Sequence, residues 1–297
     1  VPEILNTGRR NRQFRYDELN KTIKNEIEWW LKSDPRGYIK ATTDLNSRNN
    51  DFRKTAKFVK RWKHNCKEKY ADFKLKSFHI EQVVFEIYKQ NPNFEISDAI
   101  FRFFCDIPDI ISQPKIKDRT DQTKYIDDYL SSLTEAQKQK ICEARDHFLI
   151  ELESVTPSKP ISSLLSVNFY KRACPEEQYI FDYAIPTFIE DELRFKIDGL
   201  VLFKNGFRDN WWLSDESGKV EIGRKVEFQI RNNFINATSY KWKVKNDNSS
   251  QQPRGEITNN QTRNNPESTE YKGNHYVECY AIKNNVCVAK SRINVII

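Results

Sequence analysis

Methionine is absent from all 297 residues, and the chain opens on Val1. It therefore reads as a fragment or trimmed piece of a longer gene product. No run of about 18 apolar residues occurs, no signal-peptide pattern opens the chain, and mean hydropathy is −0.79, so a membrane protein is not expected. The only fully apolar run near the end, Val295-Ile296-Ile297, is too short to anchor anything. No Cys-x-x-Cys occurs, and the six cysteines (Cys66, Cys105, Cys142, Cys174, Cys279 and Cys287) do not combine with histidine at zinc-ligand spacing. They read as buried free thiols of a cytoplasmic protein.

What is present is aromatic mass and uneven charge. Nineteen Phe, 13 Tyr and 6 Trp are too many for a disordered chain and enough to bury real cores. The length suggests about two domains. Residues 1–76 carry 20 basic and 10 acidic side chains, while the remainder carries 29 and 32. All excess positive charge thus sits in the first quarter. Such a face suits phosphate-bearing partners (nucleotides, nucleic acid, anionic surfaces), or it is simply a solvated surface.

Periodicity divides the chain. Phe52, Ala56, Val59, Trp62 and Cys66 form one apolar stripe of a helix from Phe52 to about Tyr70, with Asp51 as its expected N-cap. Ser77 opens a second helix that Asn91-Pro92-Asn93 stops. Ile96–Phe104 and Thr134–Glu153 are also expected helices, the latter capped by Thr134. Trp29-Trp30 looks like a buried anchor. The segment Thr156-Pro157-Ser158-Lys159-Pro160 is the expected linker, and beyond it the pattern changes to short strands. These are Gln178–Ile185, Leu193–Phe203, Val226–Ile230, Tyr240–Val244, His275–Ile282 and Val286–Val295. Asn205-Gly206 and Ser217-Gly218 are read as hairpin turns, and Asn246–Asn265 as a long polar loop. The fold class is α+β in two domains: residues 1–153 mainly helical, 154–166 a linker, and 167–297 an all-β sandwich.

Lys60 lies at the edge of the apolar stripe, and Ser77 stands at a helix start, where free N–H groups and the positive dipole end favour an anion. A lysine from one helix and a serine from the next can cradle a triphosphate, and Phe78 could stack on a base. The plainer alternative makes Ser77 an N-cap, Phe78 a core residue and Lys60 a solvated cation.

The run Arg53-Lys54-x-x-Lys57-x-x-Lys60-Arg61-Trp62, followed by Lys76-Ser77-Phe78-His79-Ile80-Glu81, resembles the C-terminal lobe of the cGAS/DncV-like nucleotidyltransferases (CD-NTases). Val1-Pro2, Trp30-Leu31-Lys32-Ser33-Asp34-Pro35, Pro114, Asp118-Arg119 and Tyr125–Leu130 are similar to further pieces of that lobe, in order. The resemblance implies that Lys60 and Ser77 contact a donor triphosphate, that Phe78 lies near its base, and that His79 and Glu81 serve helix packing. It further implies an enzyme that makes a cyclic oligonucleotide second messenger from nucleoside triphosphates in bacterial anti-phage (CBASS) signalling, with Mg2+ or Mn2+. That chemistry needs a Gly-Ser turn, an Asp-x-Asp pair and a third carboxylate to hold two metal ions. This chain contains no Gly-Ser and no Asp-x-Asp, so the resemblance places its start just past the catalytic core, with the metal ligands outside it. Asp127-Asp128 are read as a helix-start turn and not as substitutes.

Tyr240–Asn246, Arg254-Gly255 and Glu270–Tyr280 resemble the AGS-C domain, a C-terminal sensor of such enzymes, over residues 167–297. Trp242 is expected in the core, Gly273 at positive φ, and Cys279 without a disulfide partner. Arg254, Glu270, Tyr271 and His275 either line a ligand pocket or make structural loop–sheet contacts. Two further functions stay open: a non-catalytic nucleotide- or protein-sensing module, and a nucleic-acid binder using residues 1–76.

Overall fold

The computed structural model describes residues 18–24, 34–155, 164–189, 195–203, 210–259 and 266–297. Trp29-Trp30, the Thr156–Pro160 linker and the Asn205-Gly206 turn lie outside the described residues. Contacts group the chain into two compact units, Val1–Ile141 and Cys142–Ile297, a boundary that falls within the helix Glu135–Glu153. The architecture is mixed, with helices in the N-terminal part and two antiparallel sheets in the C-terminal part.

The first unit holds a helical run over 18–24 (α1), α2 (Pro35–Arg48), α3 (Asp51–Lys69), α4 (Ser77–Gln90), α5 (Ile96–Ile110) and the start of α6 (Glu135–Glu153). The α3 stripe is buried as its 3.6-residue period requires: Phe52, Ala56, Val59, Trp62 and Cys66 all face inward. Trp62 meets Phe73 and Phe104 edge-on, at centroid distances of 5.8 and 4.8 Å. Beside it, Thr55 and Tyr88 share a buried hydroxyl hydrogen bond of 2.8 Å that ties α3 to α4.

Two helix ends differ from expectation. Asp51 is the first helical residue of α3 and not its N-cap; Asn50 takes that place, and the Asn49 side chain accepts from the Asp51 N–H at 2.9 Å. α5 runs past Phe104 to Ile110 and accommodates Pro108, because Ala99, Phe103 and Ile107 continue one buried stripe at four-residue spacing. Thr134 does cap α6: its hydroxyl accepts from Gln137 N at 3.2 Å while the Gln137 side chain accepts from Thr134 N at 3.0 Å, a reciprocal capping box.

Among its described residues the second unit contains eight strands: β1 (Phe195–Leu202), β2 (Trp211–Trp212), β3 (Lys225–Asn233), β4 (Ser239–Lys245), β5 (Ile257–Thr258), β6 (Glu267–Ser268), β7 (Asn274–Lys283) and β8 (Val286–Ile296). They form two four-stranded antiparallel sheets in the orders β2-β1-β3-β6 and β5-β4-β7-β8. Val201 and Phe228 from the first sheet join Trp242, Cys279 and Ala289 from the second in one apolar cluster. All six cysteines are free thiols.

The other face of the second sheet is also covered, and its composition is unusual. Lys243, Lys245, Tyr280 and Glu278 stand on it and are buried, with Lys243 opposite Glu278 and Lys245 opposite Tyr276 in the β4–β7 register. Glu153, Glu177 and Tyr179 approach from preceding segments of the same unit.

Gln178–Ile185 is not a strand. Ile180–Tyr183 forms a 3-10 helix, because the Asp182 carboxylate turns back to accept from Tyr179 N at 2.9 Å and is gripped by Arg172 and Arg145. Ser217-Gly218 is likewise no hairpin turn. It ends the 3-10 helix Leu213–Glu216, with Ser217 left-handed and Gly218 N donating to Leu213 O at 2.7 Å. Of the polar stretch after Asn246, the described residues 246–259 are mostly loop but include β5.

Candidate functional site

In the helical unit, the expected cradle residues lie on α3 and α4. Lys76 is the N-cap of α4 and Ser77 its first residue, so Ser77 is not the cap. Its hydroxyl makes no hydrogen bond among the described residues and is exposed. Glu81 follows four residues later, hence on the same face one turn on. Lys60 on α3 forms an ion pair with Glu81, four residues along α4 from Ser77. Lys63, one turn from Lys60, has its pKa lowered, first by burial and then by the charges of Lys67 and Lys60. The face is crowded with cations.

Phe78 is 44% exposed and not a core residue. Its ring meets that of Tyr38 edge-on at 5.1 Å. The Tyr38 hydroxyl accepts from Arg119 N at 3.0 Å, and the Arg119 guanidinium lies 5.4 Å from the centre of the Tyr38 ring. Phe78, Tyr38 and Arg119 thus make a small platform of rings and a planar cation, which can stack on a flat ligand. Nothing in the sequence pattern points to Tyr38, since its partners are 40 and 81 residues away.

His79 is 1% exposed and does not face solvent. Its Nδ1 shares a 2.9 Å hydrogen bond with the Tyr129 hydroxyl, which also accepts from Lys76 N at 3.2 Å. Burial lowers the His79 pKa, partly offset by Asp127. Asp127 caps the 3-10 helix Asp128–Ser132, and its oxygens accept from the N–H groups of Lys115 (2.9 Å) and Ile116 (3.2 Å). Among the described residues no three His, Cys, Asp or Glu side chains gather as a metal ion requires.

In the sheet unit, Arg254, Glu270, Tyr271 and His275 line one cavity of about 270 Å³. Its floor is apolar: Val226 and Phe228 from the first sheet, Val244, Val277 and Val295 from the second. The cavity therefore opens between the sheets. Gly273 lets the chain turn beside it. At φ 141° it occupies backbone space that favours glycine, and a Cβ there would come within 2.6 Å of the Asp247 Cβ. His275 is held at both nitrogens: Nδ1 accepts from Asp247 N at 3.1 Å and Nε2 donates to Tyr271 O at 2.8 Å. Arg254 is clamped by Glu256 (3.1 Å) and Glu267 (2.9 Å).

A second polar group in this unit escaped sequence reasoning. Lys243 is 1% exposed, 3.7 Å from Glu177 Oε1, and its ammonium lies 4.0 Å from the centre of the Tyr179 ring. Burial lowers its pKa against the pull of Glu177 and Glu278. Burial likewise raises Glu153 and drives Tyr280 well above the usual phenol range. In the sequence, the alternation Lys241-Trp242-Lys243-Val244-Lys245 signals a solvent face, not this interior one.

Residues 177–297 match the family model of the Adenylyl/Guanylyl and SMODS C-terminal sensor domain. No curated protein and no solved structure matches the chain. The C-terminal part is thus similar to the domain that this family model describes. Among the described residues no helix is long and apolar enough to cross a membrane.

Proposed function

We propose that this chain is the C-terminal part of a bacterial nucleotidyltransferase that makes a cyclic oligonucleotide second messenger from nucleoside triphosphates in CBASS-type anti-phage defence. The observation that carries it is the sensor-domain match over 177–297, downstream of a helical unit in which Lys60 pairs with Glu81 of the helix that Ser77 begins. In this reading the Lys60 ammonium and the free N–H groups at the start of α4 hold the donor triphosphate. The Ser77 hydroxyl donates to a phosphate oxygen. Phe78 packs beside the base. Arg254, Glu270, Tyr271 and His275 are the contacts of the sensed ligand. Mg2+ or Mn2+ is held by carboxylates outside this chain and would steady the leaving pyrophosphate. The enzyme works in the cytoplasm, where its triphosphates are.

Glu81 sharpens the test, because it competes with phosphate for Lys60. MgATP binding to the full chain is measured by calorimetry. Lys60→Ala and Ser77→Ala are each expected to weaken it by about 10-fold or more, the loss of a hydrogen bond to a charged partner. Glu81→Gln is expected to strengthen it several-fold, consistent with the roughly 0–1 kcal/mol of a partly exposed ion pair. Equal affinity for all three variants removes this role for the helical unit. The cavity of the sheet unit favours a second reading, a non-catalytic sensing module. A parent protein with intact upstream carboxylates that yields no nucleotide product from any triphosphate mixture supports that alternative.

A further inference from the structure

We infer that the cavity between the two sheets receives a small heteroaromatic molecule, uncharged or singly cationic, and does not receive a phosphate-bearing one. This rests on the sensing role proposed for the C-terminal region and names its ligand class.

Size gives the first constraint. A volume of about 270 Å³ lies just below the usual range for ligand pockets and above the roughly 150 Å³ cavity that takes up benzene. One or two fused rings fit it, and a cyclic dinucleotide does not. The five apolar floor residues suit a ring face.

Charge gives the second. Arg254 is the only Lys or Arg among the described lining residues, and its guanidinium is already committed to Glu256 and Glu267. His275 uses both nitrogens on the backbone, so it shapes the wall and offers no free donor. Of the charged groups lining the cavity, the one left open is Glu270, which makes no hydrogen bond or ion pair among the described residues; Glu267 beside it is paired with Arg254. An entering phosphate would meet the unpaired Glu270 carboxylate, and could recruit Arg254 only by stripping Glu256 and Glu267 of their partner. A ring bearing an N–H or ammonium group meets an apolar floor and a waiting acceptor.

The test uses the full chain and three probes with one ring system: tryptamine, indole and indole-3-acetate. Binding is followed by calorimetry and by NMR shifts of cavity residues. Tryptamine and indole are expected to bind with Kd of about 1 mM or tighter, and indole-3-acetate at least about tenfold more weakly than tryptamine. Glu270→Gln, a surface change, should cost tryptamine about tenfold and leave indole unchanged. Val244→Phe should fill the floor and abolish both. The inference is overturned if no probe shifts cavity residues, if indole-3-acetate binds as well as tryptamine, or if both variants bind like the parent. Cyclic di-AMP is run in parallel. If it shifts the cavity residues where the indoles do not, the ligand class is wrong and the sensing role stands. If nothing shifts them, the sensing role of the cavity falls as well, while the MgATP measurement at Lys60 and Ser77 is unaffected.

Discussion

Charge is handled in opposite ways by the two units. In the helical unit many ion pairs sit on outer helix faces at three- or four-residue spacing, as in Lys40–Asp44, Lys54–Asp51 and Arg102–Asp106, while Lys60–Glu81 bridges two helices and Asp127 lies buried 3.7 Å from His79. In the sheet unit Arg145, Asp146, Glu177, Lys243 and Glu278 are buried. The difference follows from geometry. A helix with one apolar stripe keeps its remaining surface wet. A sheet has two faces, and here both faces of β4 are covered: Trp242 enters the apolar cluster, and its neighbour Lys243 enters a polar one. Buried charges must then satisfy one another, so Arg172 bonds both Asp146 and Asp182, and Arg145 bonds the same two carboxylates.

The comparison predicts unequal costs for removing one carboxylate. Glu177 accepts from Ala173 N at 2.7 Å and from the Tyr179 hydroxyl at 3.1 Å, besides facing Lys243. Glu177→Ala removes the nearer counter-charge of a buried ammonium, leaving Glu278, and strips Ala173 N and the Tyr179 hydroxyl of their acceptor; it is expected to cost about 3–5 kcal/mol. Asp44→Ala, which removes the partner of Lys40, is expected to cost no more than about 1 kcal/mol. Thermal denaturation of the two variants reads the difference. Equal losses would mean that the buried cluster carries no special weight.

A backbone test comes next in size. Gly273→Ala places a methyl against Asp247 at a φ that other residues rarely adopt, so about 1–3 kcal/mol of strain is expected. The loss should appear in the sheet unit alone, as faster amide exchange at Gly273 and Ile297, whose backbones bond each other at 3.1 and 3.2 Å.

The same contrast explains how far the sequence could be read. The α3 stripe and the Thr134 cap were legible because their signals are local: a 3.6-residue period and a three-residue capping box. β3, β4, β7 and β8 showed through β-rich runs between turn signals. Gln178–Ile185 was misread because its shape depends on Arg145 and Arg172, whose pairing with Asp182 leaves no mark in the local pattern. Burial of Lys243 left no local mark either, since what covers it is remote in the chain. At the sites, Lys60, Ser77 and Phe78 could be named from spacing and resemblance, but Glu81 as the partner of Lys60, and Tyr38 and Arg119 beside Phe78, needed coordinates. The four rim residues of the cavity were nameable; its apolar floor was not, since alternate strand positions read equally well as filled core.

The smallest effect concerns Asp247, a half-buried carboxylate of the sheet unit that does the structural work its buried neighbours do. Its oxygens accept from the Ser249 hydroxyl (2.7 Å), Ser249 N (2.9 Å) and Asn274 N (3.0 Å), while its own N–H holds His275. These bonds, the Ser249 hydroxyl first, hold its pKa down to about 2 against an ordinary value of 3.8. A depressed carboxylate stabilises the folded state fully above its unfolded pKa and loses that contribution as pH falls through the folded one. The Asp247 turn is therefore expected to be intact above about pH 4 and to loosen between pH 4 and 2, read as a shift of the Asn274 amide resonance. Asp247→Asn removes the titration and should flatten the profile. In the helical unit Asp121 makes the same kind of turn with Thr123 and is also held low, yet no buried histidine hangs on its backbone. Acid should therefore reach the wall of the sheet-unit cavity through Asp247, whereas protonation of Asp121 should relax only its own loop.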